Sequence, residues 1–164
     1  MTLRVSEPEP LSAAHRVDEF DCGEASLNLW LIRRALTNQA TGASRTFVVV
    51  DQNYAVCGYY ALAAGAVTHA TATAPVRRNM PDPIPVMVLA RLAVAQRAQG
   101  IKLGAALLQD AVNRAVVVAQ NTGVRTLLVH ALNERAKQFY EHYGFQVSPI
   151  DAMTLMLRVK TLTA

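Results

Sequence analysis

The stretch Leu89–Leu108, LARLAVAQRAQGIKLGAALL, carries most of the information about the fold. It opens as an apolar run continuous with Val86–Val94, crosses a short polar loop and enters a helical repeat. Leu103, Leu107, Ala111, Ala115 and Val118 recur at the spacing that puts apolar side chains on one helix face, up to Asn121-Thr122-Gly123. A second apolar run, Val124–Leu132, follows at once. Strand, helix and strand in that order imply two parallel strands joined by a right-handed crossover. Working outward, a helix is expected from the N-cap Ser26 to Thr41-Gly42, then a hairpin of Thr46–Asp51 and Val56–Val67 about the turn Asp51-Gln52-Asn53. Pro75–Pro85 reads as a Pro-rich loop. Past the crossover come a helix over Glu134–His142 and strands near Phe145–Val147 and Met153–Val159. The expected fold class is α/β, a mixed and mainly antiparallel sheet with a central parallel βαβ unit and flanking helices.

The chain has 164 residues, which suits one domain, 1–164, with a core able to fold without disulfides or metals. With 52% hydrophobic and 17% charged residues it is not a disordered chain, and no apolar run reaches the roughly 18 residues of a membrane span. The start, with Glu7 and Glu9, has neither the basic end nor the apolar stretch of a signal peptide, so a cytosolic protein is expected. Cys22 and Cys57 lie outside any ligand spacing and read as buried, inert thiols. His15, His69 and His130 form no metal spacing with a carboxylate, so no metal is expected.

Charge is uneven. The net value is +4, yet six of the 12 acids fall in the first 24 residues, and the rest of the chain is strongly basic. A basic surplus attracts anions such as nucleic acid or a phosphorylated cofactor. Arg33, Arg34, Arg77 and Arg78 stand out as adjacent pairs, although solvated surface arginines would look the same. The acidic start belongs to no motif.

The loop between strand and helix holds Arg97, Gln99, Gly100, Lys102 and Gly104. Amides at a helix start point outward without partners at the positive end of the helix dipole, a setting that holds phosphate. A plain strand-to-helix turn would use glycine in the same way. No Gly-Lys-Ser/Thr closes a nucleotide loop, and the three spaced glycines of a dinucleotide fingerprint are missing.

Gln99-Gly100-Ile101-Lys102-Leu103-Gly104 resembles the Arg/Gln-x-x-Gly-x-Gly/Ala loop of the GCN5-related N-acetyltransferases, with lysine at the fourth place. Asn133-Glu-Arg-Ala-Lys-Gln-Phe-Tyr140-Glu-His-Tyr-Gly-Phe145 resembles that family's Asn-x-x-Ala-x-x-Phe-Tyr-x-x-x-Gly-Phe segment more specifically. The resemblance implies acetyl-CoA as co-substrate, with its pyrophosphate on Gln99, Gly100, Ile101, Lys102, Gly104 and Ala105. It makes Asn133 a cofactor contact and Tyr140 the general acid that protonates the departing thiolate. It also implies that the backbone of Leu92, Ala93 and Val94 holds the pantetheine arm, where an ordinary central strand would be the plainer reading. Acyl transfer to an amine must stabilise an oxyanion and expel a thiolate with a conjugate-acid pKa of roughly 8.5, which a phenol near 10 can protonate. Taken alone, Tyr140 could equally pack against Phe139. No Ser or Cys sits in a nucleophile elbow, so direct transfer in a ternary complex is expected, with no base identified.

Phe20–Leu31, Asn38–Val48 and Ser148–Leu157 further resemble one subgroup, the toxins of type II toxin-antitoxin systems that acetylate aminoacyl-tRNA and block translation. This resemblance covers about residues 11 to 158. It implies a ribbon-helix-helix antitoxin and a homodimer, and gives Arg33, Arg34, Arg77 and Arg78 a task in holding tRNA. A protein or small-molecule amine is the alternative acceptor.

Overall fold

The structure, a computed structural model, describes residues 3–159. The chain forms two compact units, one taking residues up to Ala63 together with Arg91–Ala111, the other taking Ala64–Ala90 together with the residues from Val112 onward.

In the first unit β1 (Glu9–Pro10), β2 (Arg45–Val50) and β3 (Val56–Val67) run antiparallel, Glu9 opposite Val48 and Val48 opposite Tyr59, and the order ends on the last residues of β4 (Ile84–Val94). The two-residue β1 brings part of the acidic start to the edge of β2, where the Glu9 carboxylate meets His15 Nε2 at 2.9 Å. Asp21 belongs to a turn, accepting from the Gly23 amide at 2.9 Å and from Asn28 Nδ2 at 3.0 Å. Helices α1 (Ala25–Arg33) and α2 (Ala35–Thr41) replace the one helix expected over 26–41. Arg34 interrupts them because its φ of −120° lies outside the helical basin. The N-cap is Glu24, not Ser26: Glu24 has the extended backbone a cap needs, and Ser26 already lies inside the helix. Leu31, Ala35, Val48, Tyr59 and Ala93 share the core of this unit. Tyr59 packs between Phe20 and Trp30, and its hydroxyl donates to the Leu27 carbonyl at 2.7 Å.

The second unit orders its strands β3-β4-β5-β7-β6, with β5 (Thr126–His130), β6 (Gln146–Val147) and β7 (Thr154–Arg158). Met87–Leu89 of β4 pair in parallel with Leu127–Val129 of β5, and β7 returns antiparallel beside β5. The Pro-rich segment is not all loop. It contains the short helix α3 (Ala74–Arg77), started by Pro75 in the first turn where a missing amide costs nothing, and β4 already begins at Ile84. Ala72, Val76, Ile84, Val86, Leu128 and Met156 form the core here. The crossover helix α4 (Leu103–Asn121) contributes to both units, and α5 (Glu134–His142) follows β5. No described helix is long and apolar enough to cross a membrane.

Candidate active site

The polar loop of the first unit is braced from behind. The Ala95 amide donates to the Cys57 carbonyl at 2.8 Å, the Gln96 amide to the Asp21 carbonyl at 2.8 Å, and Gln99 Nε2 to the Val94 carbonyl at 3.0 Å. The Gln99 side chain is therefore spent on holding the strand end, and its own amide donates to the Gln96 carbonyl at 3.2 Å, so Gln99 braces the loop from behind. Arg97 turns back to the Asp51 carboxylate at 3.0 Å and to Cys57 Sγ at 3.3 Å. Burial opposes the charge on Asp51, yet the amides of Asn53 and Ala55 and the Arg97 guanidinium hold its carboxyl below the usual range. Burial pushes the Cys57 thiol up and so keeps it inert. Cys22 is only half-buried, contrary to expectation, because it sits in the surface turn before α1.

Ahead of this brace the backbone opens. Gly100 has φ +89° and Lys102 φ +62°, and among the described residues the amides of Gly100, Ile101, Lys102, Leu103, Gly104 and Ala105 donate no hydrogen bond. Left-handed residues beside unpartnered amides at the start of a 19-residue helix make an anion cradle. Leu92, Ala93 and Val94 lead into it as the last residues of β4, Ala93 buried and its neighbours half-buried.

Lys102 is the residue whose placement the sequence could not state. It holds the left-handed position at which the glycine of the loop pattern would sit, at a cost of about 1 kcal/mol for a side-chain-bearing residue. Lys102→Gly should therefore change stability by less than about 1 kcal/mol, since relief of strain offsets the added freedom of the unfolded chain. Loss of its charge should raise KM for acetyl-CoA a few-fold. A thermal melt beside acetyl-CoA saturation kinetics separates the two effects.

In the second unit α5 carries the other residues. Asn133 is its N-cap, Oδ1 accepting the Ala136 amide at 2.9 Å, which leaves Nδ2 available. Tyr140 is buried at 6% exposure, its ring 5.2 Å from Phe139 and 5.4 Å from Phe145. The ring of Tyr140 packs as the plainer reading expects, and its hydroxyl bonds to no described group. Burial pushes the phenol well above its ordinary value, so it stays protonated at neutral pH. Arg77 and Arg78 lie exposed at the end of α3, as Arg33 and Arg34 do at the α1–α2 junction of the first unit. None of the four has a carboxylate within 4.0 Å among the described residues.

A further polar set stands at the end of β5. The Asp151 carboxylate accepts the Thr154 hydroxyl at 2.8 Å, and Thr154 Oγ1 lies 2.9 Å from His130 Nδ1. The sequence did not mark it, because its members are brought together only by the pairing of His130 with Thr154 across β5 and β7.

Residues 43–147 match the family model described as an acetyltransferase (GNAT) domain. The chain belongs to the GNAT acetyltransferase family. A tRNA-acetylating toxin of Mycobacterium tuberculosis is 48% identical over 159 residues, covering 97% of this acetyltransferase and 95% of the relative. A structure of AtaT complexed with acetyl-methionyl-tRNAfMet is 28% identical, with a TM-score of 0.85 over 96% of this chain and 95% of that one. A tyrosine-to-phenylalanine mutant of the AtaT toxin, bound to the C-terminus of the antitoxin AtaR and acetyl-CoA, is also 28% identical, with a TM-score of 0.79 over 96% and 93%. The mixed sheet with one parallel strand pair is the architecture these structures share with it. No group of three or more His, Cys, Asp or Glu among the described residues could hold a metal.

Proposed function

We propose that this acetyltransferase moves the acetyl group of acetyl-CoA directly to the free amino group of aminoacyl-tRNA, and that it is the toxin of a type II toxin-antitoxin system that blocks translation. The observation that carries this reading is the 48% identity, over nearly the full length of both chains, to a tRNA-acetylating toxin. The thioester supplies an activated acetyl carbon. Gly100 to Ala105, acting through the main chain with Lys102 adding charge and Gln99 bracing the loop, hold the pyrophosphate, and Leu92, Ala93 and Val94 hold the pantetheine arm. Asn133 is a further cofactor contact, through Nδ2. Tyr140 gives its proton to the sulfur as the thiolate leaves, and a protonated phenol is the state that task needs.

Arg33, Arg34, Arg77 and Arg78 supply the exposed positive charge for the tRNA backbone, a contact that weakens steeply with salt. The chain works as one domain in the cytosol, as a homodimer, neutralised by a ribbon-helix-helix antitoxin. The antitoxin part of this reading is supported by the AtaR complex of the AtaT toxin. Cell-free translation tests the whole. Synthesis should stop when the chain and acetyl-CoA are added together, and continue when either is left out. Translation that continues at full rate would overturn the reading.

A further inference from the structure

A transfer to an amine needs a group that receives the ammonium proton, and neither the loop nor Asn133 and Tyr140 offers one. The polar set at the end of β5 does. β4 and β5 are the one parallel strand pair among the described residues, and His130 is the last residue of β5, three before the cap of α5. Ligands of open α/β units gather outside the carboxyl ends of parallel strands. Leu128 and Met156, one pleat back on β5 and β7, are buried in the core, whereas His130 is exposed where the same face reaches solvent.

The hydrogen bonds set the tautomer. Thr154 donates its only hydroxyl proton to Asp151, so Thr154 Oγ1 must accept from His130, which places the ring proton on Nδ1. Nε2 then carries a lone pair, and it bonds to no described residue. Asp151 is held ionised by the Met153 amide at 3.0 Å and by the Thr154 hydroxyl, so negative charge stands at the far end of the chain when the imidazole takes a second proton. A carboxylate that orients an imidazole for base catalysis is a recurrent arrangement, here with a threonine between them.

We infer that His130 is the general base of the transfer, its Nε2 accepting a proton from the acceptor ammonium while Thr154 and Asp151 act as positioning residues. The inference rests on the function proposed above. The protons balance. Of the three on the ammonium, one goes to His130 and on to solvent, one stays on the amide product, and the third replaces the proton that Tyr140 gives to sulfur. The nitrogen–carbon bond forms as the carbon–sulfur bond breaks.

His130→Asn and His130→Ala test this in the full chain, with acetyl transfer to aminoacyl-tRNA by the unaltered protein as control. Asparagine keeps an amide donor for Thr154 Oγ1 but has nothing in place of Nε2. A base predicts a fall in kcat of about 100-fold for His130→Asn, with melting temperature and KM for acetyl-CoA unchanged, and partial recovery of His130→Ala in free imidazole. A merely structural histidine predicts near-full activity for His130→Asn. That result, or a loss in His130→Ala that imidazole does not relieve, would overturn the assignment. Failure of the unaltered protein to acetylate charged tRNA would instead overturn the proposed function beneath it.

Discussion

Tyr140→Phe should leave the fold intact and lower kcat for acetyl transfer by about 10²- to 10⁴-fold, the usual contribution of a positioned general acid. The substitution removes one oxygen and nothing else. Phenylalanine keeps the ring contacts to Phe139 and Phe145, and because the hydroxyl bonds to no described residue, its loss strands no partner. Stability should therefore change by less than about 1 kcal/mol. KM for acetyl-CoA should hold, because the proton is needed only as sulfur takes up charge. The same burial sets the pH profile. With the phenol raised, its protonated form persists above the ordinary tyrosine range, so the alkaline fall in kcat that reports loss of the acid should be displaced upward. Thiol release followed against pH for both proteins, beside their melting curves, checks these points. An unchanged kcat in Tyr140→Phe would leave Tyr140 as a packing residue only.

The second large effect is expected at Gly58, in β3. A Cβ there would stand 2.9 Å from Leu107 Cδ1, 3.3 Å from Leu103 Cδ2 and 3.3 Å from the Ala93 carbonyl oxygen. The glycine thus lets the first turn of α4 and the end of β4 lie close over β3. Gly58→Val adds a branched side chain into that contact, and the carbonyl has no rotamer by which to yield. Overpacking of this kind costs about 1–3 kcal/mol. The strain falls on Leu103 and Ala93, which flank the anion cradle, so affinity for acetyl-CoA should drop at least tenfold as the amides lose their common aim. Urea unfolding and the thermal shift on adding acetyl-CoA measure the two effects separately. Wild-type values in both would mean that the loop does not depend on this packing.

The bounds of α5 and β3 were legible because strong local features coincide there. Asn133 caps a clear helical pattern, and the apolar run of Val56–Val67 is closed at one end by the Asp51–Asn53 turn. The break at Arg34 was not, since arginine is a good helix former and nothing local forbids continuation. Nor was α3, because Pro75 both punctuates loops and starts helices, and only burial of Val76 decides between them. Within the site, Gly100 and the α4 start could be read from the loop pattern. The left-handed Lys102 could not, as a lysine carries no mark of its φ. His130, Thr154 and Asp151 meet only through cross-strand pairing, which no motif records. The structure also gave part of the acidic start a role, since Glu9 faces His15 at the sheet edge and Asp21 ties the turn before α1 to Asn28.

Transfer of labelled acetyl from acetyl-CoA to a full set of charged tRNAs tests the central claim most directly. Label should appear on the aminoacyl group of one or more charged tRNAs, should leave with the amino acid when the ester is hydrolysed, and should be absent from uncharged tRNA. Charged tRNAs that all stay unlabelled, while a protein or small-molecule amine takes up the acetyl group, would contradict it.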